Sequence, residues 1–206
     1  DAVTMKAETD GSEAFGDIAF VDSEAVKLHT SAGANGDLFI DTSTNGVAAV
    51  GGSLSITAKN GNITQSLPVT VGTTSSFTTT ANNTTITLSN TSNAFTGALT
   101  ITTNDDSGAD ADVTIDGGTT ALIIAASTID GDLTLTSGAT AGITDSATVT
   151  VGGNLVATTD AGNGVIDLGT TTVTGTMDLT THGTGNASID NTTTDIVLIA
   201  SEVGGT

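Results

Sequence analysis

Short runs in which an aliphatic residue alternates with a small polar one recur along the whole chain. Leu54-Ser55-Ile56, Leu99-Thr100-Ile101, Leu133-Thr134-Leu135 and Met177-Asp178-Leu179 have this form. So do Val69-Thr70-Val71, Val113-Thr114-Ile115, Val149-Thr150-Val151 and Ile166-Asp167-Leu168. A period of two puts every second side chain on one face of an extended strand, so each run predicts a β-strand with one apolar face. Glycine, asparagine or aspartate separates the runs, and these residues accept left-handed turn conformations. Before Leu54 the pattern is looser and predicts strands at residues 3–5, 18–20, 26–28, 38–40 and 47–50. Helix is disfavoured, because Thr and Gly are abundant while Lys, Arg, Glu and Gln are scarce.

The runs repeat. Residues 54–102 align with 133–180 at an offset of 78 to 80. Leu54 and Ile56 match Leu133 and Leu135, Ile63 matches Ile143, Val69 and Val71 match Val149 and Val151, and Ile86 and Leu88 match Ile166 and Leu168. A shorter repeat lies inside the long one. Its strand starts at Leu54, Phe77 and Leu99, and again at Leu133, Leu155 and Met177, fall 22 or 23 residues apart. A unit this small cannot bury its own aliphatic face, whereas stacked units share a continuous core. The expected fold is all-β: a right-handed parallel β-helix, a three-sided β-solenoid of about nine coils of ~22 residues. Residues 1–206 read as a single β-solenoid domain without linker or cap, either a segment of a longer repeat protein or a stacking subunit.

Charge narrows the function. The 206 residues carry 23 acidic and 3 basic side chains, a formal net charge of -20. Nucleic-acid binding needs cations that displace phosphate counterions, so this chain would be repelled. An anionic membrane surface is excluded likewise, and no apolar run reaches the ~18 residues of a spanning helix. Cysteine, Tyr and Trp are absent. No disulfide framework is available, and cysteine says nothing about compartment. A sugar-processing groove would set carboxylates beside basic and aromatic side chains. Without Arg, Tyr or Trp the chain is not expected to be an enzyme, and no cofactor is required.

Residues 52–64, Gly-Ser-Leu-Ser-Ile-Thr-Ala-Lys-Asn-Gly-Asn-Ile-Thr, and residues 152–159, Gly-Gly-Asn-Leu-Val-Ala-Thr-Thr, resemble the repeats of filamentous haemagglutinin-like bacterial exoproteins and adhesins. The likeness extends over about residues 36–200. It implies a right-handed β-helical shaft, secretion to the bacterial cell surface, and roles in adhesion, aggregation or biofilm. The partners it implies are other copies of the chain or a host or neighbouring cell surface. A self-assembling subunit of an extracellular filament or surface layer is the alternative. No binding residue carries over from the family.

The densest acidic cluster, Asp105, Asp106, Asp110 and Asp112 with Asp116 beyond, lies in a turn-rich segment. Calcium takes several hard oxygens converging at 2.3–2.6 Å, which such a turn could supply; a solvated acidic loop is the competing reading. The segment from Asp41 to Gly46 resembles the first half of a calcium loop, but Gly52 stands where the bidentate glutamate belongs. His29 and His182 each follow an alternating strand and read as outward surface residues. Thr57, Thr80, Thr102, Thr136, Thr158 and Thr180 fall at equivalent outward positions, predicting one threonine column. Such a column fits strand propensity and same-face pairing, or an ice-binding face, which the mixed neighbouring column disfavours.

Overall fold

The computed structural model describes residues 52–59, 61–65, 68–104, 110–192 and 195–205, together with the backbone of four earlier strands. Those four are β1 (Thr4–Met5), β2 (Ile18–Asp22), β3 (Val26–His29) and β4 (Leu38–Ile40). They fall on four of the five expected segments; residues 47–50 lie outside the described residues. From Leu54 the chain runs through β5 (Leu54–Ala58), β6 (Ile63–Gln65), β7 (Thr70–Val71), β8 (Ser75–Thr79), β9 (Ile86–Leu88) and β10 (Ala94–Phe95). There follow β11 (Leu99–Thr102), β12 (Val113–Asp116), β13 (Leu122–Ile124), β14 (Ser127–Ile129), β15 (Leu133–Ser137) and β16 (Ile143–Asp145). The last five are β17 (Val149–Val151), β18 (Leu155–Gly162), β19 (Ile166–Val173), β20 (Met177–His182) and β21 (Ala187–Asn191). No helix occurs among the described residues.

The pairing makes this an all-β parallel solenoid of about six turns. β5 pairs with β8, β8 with β11, β11 with β14 and β14 with β17, all in parallel. β6 pairs with β9, β9 with β12, β12 with β15, β15 with β18 and β18 with β20. β13, β16, β19 and β21 form a further parallel run. Between partners in each of these runs the chain makes a circuit, which parallel strands require because no hairpin can join them.

Alternation then decides what is inside. β5, β8 and β15 read buried, half-buried, buried along their length, the inward residues being aliphatic, Phe, or small hydroxyl residues at the strand ends. Residues from Leu54 to Leu179 join in one hydrophobic cluster, among them Ile56, Phe77, Ile101, Ile115, Leu135 and Ile166. Each such side chain contributes roughly 1.5–3 kcal/mol on burial. One of these inward hydroxyls is left unsatisfied. Ser75 stacks between Leu54 and Leu99, and its buried hydroxyl has no hydrogen-bond partner. Ser75→Ala removes that unpaired group and is expected to raise stability by about 1 kcal/mol in urea unfolding; a loss instead would mean the hydroxyl is satisfied.

The long sequence repeat does not map onto one face. Leu54 stacks on Ser75 and Leu99, whereas Leu133 stacks on Val113, Leu155 and Met177 in the ladder that contains β6 and β9. The aligned pair β5 and β15 is ten strands apart, which is three circuits and one strand. Phe77 is also not a strand start: it pairs with Ile56 and Ile101, two residues into β8. Inward positions on every ladder accept the same aliphatic residues, so neighbouring copies can occupy different ladders without cost to the core.

Candidate functional site

The most regular polar feature joins turn to turn just before the β6 ladder. Asn62 Oδ1 accepts a hydrogen bond from the Thr85 backbone N–H at 2.9 Å. Asp112 Oδ1 accepts from Asp132 N–H at 2.9 Å, and Asp132 Oδ1 from Asn154 N–H at 2.7 Å. Asn154 Oδ1 accepts from Thr176 N–H at 2.9 Å and from the Thr176 hydroxyl at 2.8 Å. Each side chain satisfies the amide of the equivalent residue one turn on, a group that lies outside the strand ladder and would otherwise need water.

This column explains the glycine in front of it. A Cβ on Gly153 would lie 2.8 Å from the Gly131 backbone and closer still to Asp132 Oδ1. Gly131 faces Asp112 Oδ1 and Gly175 faces Asn154 Oδ1 in the same way. The recurring Gly-Asp-Leu, Gly-Asn-Leu and Gly-Thr-Met units are therefore turn connectors: glycine leaves room, the polar residue links turns, and the apolar residue enters the core. Gly153→Ala is expected to cost about 2 kcal/mol or more, through the contact and the displaced Asp132 bond. Thermal unfolding checks it, and an unchanged midpoint would refute the steric account.

A second polar group is buried. Asn93 is 1 % exposed. Its Oδ1 accepts from Val69 N–H and Gln65 Nε2, both at 2.8 Å. Its Nδ2 faces Gln65 Oε1 at 2.9 Å, the Asp116 carbonyl at 2.9 Å and the Leu88 carbonyl at 3.1 Å. One amide thus connects three successive turns. Nothing in the sequence separates this asparagine from the many others; its burial follows from how the β9–β10 turn closes.

The outer face of the β5 ladder is lined with hydroxyls. Thr57, Thr78, Thr102, Thr128, Thr150 and Thr172 stand in register on successive turns. Two residues before them along the strands lie Ser55, Ser76, Thr100, Ala126, Thr148 and Thr170. The sequence predicts a different column, and the structure divides it: Thr57 and Thr102 belong here, but Thr136, Thr158 and Thr180 align on the β6 ladder. Thr80 lies just beyond β8, where Thr78 takes the aligned position.

Residues 16–102 and 110–168 match a family described as repeats of unknown function (DUF5649). The chain belongs to the DUF5649 repeat family. No curated protein and no solved structure matched it. The two matched DUF5649 segments together cover most of the chain, and β5 to β18 fall within them apart from the β11–β12 connection.

That connection carries the acidic cluster. Asp105 and Asp106, half of the expected calcium set, lie outside the described residues. Asp110 receives the side-chain amide of Asn83 when that amide is oriented to donate. Asp112 is engaged in the column above. Among the described residues no three His, Asp or Glu side chains converge as a metal site would require. His182 sits at the exposed end of β20 with Nδ1 2.6 Å from the Thr159 carbonyl, which fits a surface histidine. The side chain of His29 and the Asp41 loop lie outside the described residues.

Asp116, at the end of β12 in the DUF5649 fold, has a perturbed carboxyl. Burial raises its pKa above the ordinary 3.8; the Gly118 N–H, donating to it at 2.7 Å, opposes this, and the Asp160 charge adds to the rise. The folded state therefore holds this proton more tightly than the unfolded chain. Its contribution favours folding at low pH and fades as pH climbs from 3.8 through the raised folded value. Asp116→Asn keeps an acceptor for Gly118 and removes the ionisation. Its stability relative to wild type is expected to rise across that window and level off above it. Urea midpoints measured from acid to neutral pH test the sign.

Proposed function

We propose that this chain forms part of the rigid shaft of a secreted bacterial cell-surface adhesin of the filamentous haemagglutinin-like kind. It has no catalytic role and supports adhesion, aggregation or biofilm formation. The observation that carries this reading is the unbroken run of parallel ladders over one aliphatic core, with its recurring polar groups spent on joining turns. A stack of this kind resists bending, because each turn is hydrogen-bonded along its length to the next. The high negative charge keeps shafts soluble and apart.

The same proposal includes a right-handed, three-sided coil of ~22 residues continued through the first four strands to about nine coils. At ~4.8 Å per coil that makes a rod roughly 40 Å long. Antibody raised against the chain should label intact cells of the source bacterium, and deleting these residues should shorten the surface fibre. Labelling confined to permeabilised cells would overturn the proposal.

A filament subunit is the second reading. Its docking surface would be the half-exposed Ile196, Val197, Leu198 and Ile199, where Leu198 continues the inward column above Met177. The mass of the native protein separates the two: a shaft belongs to a chain several times larger than 20.0 kDa, a subunit does not.

A further inference from the structure

We propose that the last described turn, residues 195–205, is a docking face for one further coil of a DUF5649 repeat, stacked in parallel with its aliphatic residues inward. The inference rests on the shaft reading and names what stands on this end of the shaft.

An internal surface of the same build shows what the face accepts. Residues 122–129, Leu-Ile-Ile-Ala-Ala-Ser-Thr-Ile, align with 196–203, Ile-Val-Leu-Ile-Ala-Ser-Glu-Val. The two segments sit in the same way on the turn below them. Ile124 pairs with Leu99, and Leu198 with Met177. The amides of Ala125 and Ile199 donate to the Leu99 and Met177 carbonyls, both at 2.8 Å. The Ile101 and Leu179 amides donate to the hydroxyls of Ser127 and Ser201, both at 3.0 Å. Each hydroxyl donates in turn to the carbonyl two residues before it, that of Ala125 or Ile199. Thr128 then pairs with Thr102, and Glu202 with Thr180. Between these pairings both segments carry one residue more than the strand beneath, as a bulge does.

The upper side is where they differ. β16 and β17 cover the internal segment: Leu122 pairs with Ile143, Ser127 with Val149 and Ile129 with Val151. The Leu122 and Ser127 amides donate to the Gly142 and Thr148 carbonyls of that covering turn, at 2.9 and 3.1 Å. Covered in this way, Ile124 is 0 % exposed, whereas Leu198 is 54 % exposed. Ile196 and Val203, which match Leu122 and Ile129, are exposed as well. Among the described residues no strand pairs with the upper edge of 196–203.

The occupant follows from the internal case. A free strand edge above an aliphatic floor accepts an extended segment with Ile or Val at alternate positions, as at 143–151. Residues 63–71 have the same pattern. β6 and β16 are already paired along both edges, so a second folded copy of this chain can offer neither. The partner is therefore a DUF5649 coil whose own lower edge is free.

Adding residues 133–153 of this chain directly after Thr206 of the intact chain supplies such a coil in register. Gly205 lies against Asn186 Oδ1 as Gly131 lies against Asp112 Oδ1, so residue 206 stands where Asp132 does. Covalent linkage removes the cost of bringing two molecules together. Hydrogen exchange is expected to slow at least about tenfold at the Ile196 and Ser201 amides, the counterparts of Leu122 and Ser127. The same extension with Ile143→Asp and Val149→Asp in the added copy should give no such protection. Leu198→Asp should leave the unfolding midpoint of the unextended chain within about 2 °C, because that side chain is exposed there, and should abolish the protection in the extended one. Unchanged exchange at both amides in the extended chain overturns the proposal, as does equal protection by the aspartate-bearing extension. Self-association of the unextended chain that protects the same two amides would assign the face to a second copy and overturns it too. Each of these failures would remove the docking face alone, because the shaft reading stands or falls on surface labelling.

Discussion

Phe77→Ala is expected to destabilise the fold by about 3–5 kcal/mol, the range for emptying a large buried aromatic site. Phe77 is 0 % exposed and lies between Ile56 and Ile101 in the inward column of the β5 ladder. Its ring meets Phe95 edge to face, with centroids 6.1 Å apart and planes at 80°. The substitution thus removes packing along the axis and across the core together. Parallel turns cannot collapse to fill the space, because backbone hydrogen bonds fix their spacing. Urea unfolding measures the loss. Native-state hydrogen exchange should place it in β5, β8 and β11 before more distant turns, since each turn contacts mainly its neighbours. A loss below about 1 kcal/mol would mean that Phe77 is not packed as described.

Asn93→Leu is expected to cost about 3 kcal/mol or more, although leucine is of similar size and apolar. The cost comes from what the amide leaves behind: Val69 N–H, the Gln65 amide and the carbonyls of Leu88 and Asp116 all lose a partner. Stranding buried polar groups is more damaging than the mean value of a hydrogen bond suggests. Asn93→Asp should fare no better, because it keeps the acceptor, deletes both donors and buries a charge. Combining Asn93→Leu with Gln65→Ala should cost less than the two single losses added, since both break the same pair. Strict additivity would show that the two amides act independently.

The strands were legible because their signal is local. Alternation at Leu54, Leu99, Val113, Leu133, Val149 and Met177 required nothing beyond the period of two, and each begins or lies within a strand. The turn connectors were half legible. The sequence exposes a recurrent Gly-x-Leu unit but not the reason for it, which lies in an oxygen from the preceding turn packed against the glycine. The buried knot at Asn93 was illegible, since composition cannot say which of many asparagines a turn will enclose. For the expected calcium set, the sequence supplied proximity along the chain, while the direction of Asp112 is set by the neighbouring turn.

The threonine column marks where the two kinds of information divide. An offset near 79 residues is not a whole number of 22-residue coils, so the aligned copies could not lie one above the other. The ten residues between β11 and β12, against three between β14 and β15, show how unequal the circuits are.

By itself the sequence determined that the chain would be all-β, parallel and stacked. Short alternating strands, repeated at coil length, have few other ways to bury their aliphatic residues. Only the tertiary structure decided which strand stacks on which, and hence which residues share a face. Every inward position asks for the same kind of side chain, so hydrophobic pattern cannot tell one ladder from another; the lengths of the turns and the hydrogen bonds between them do.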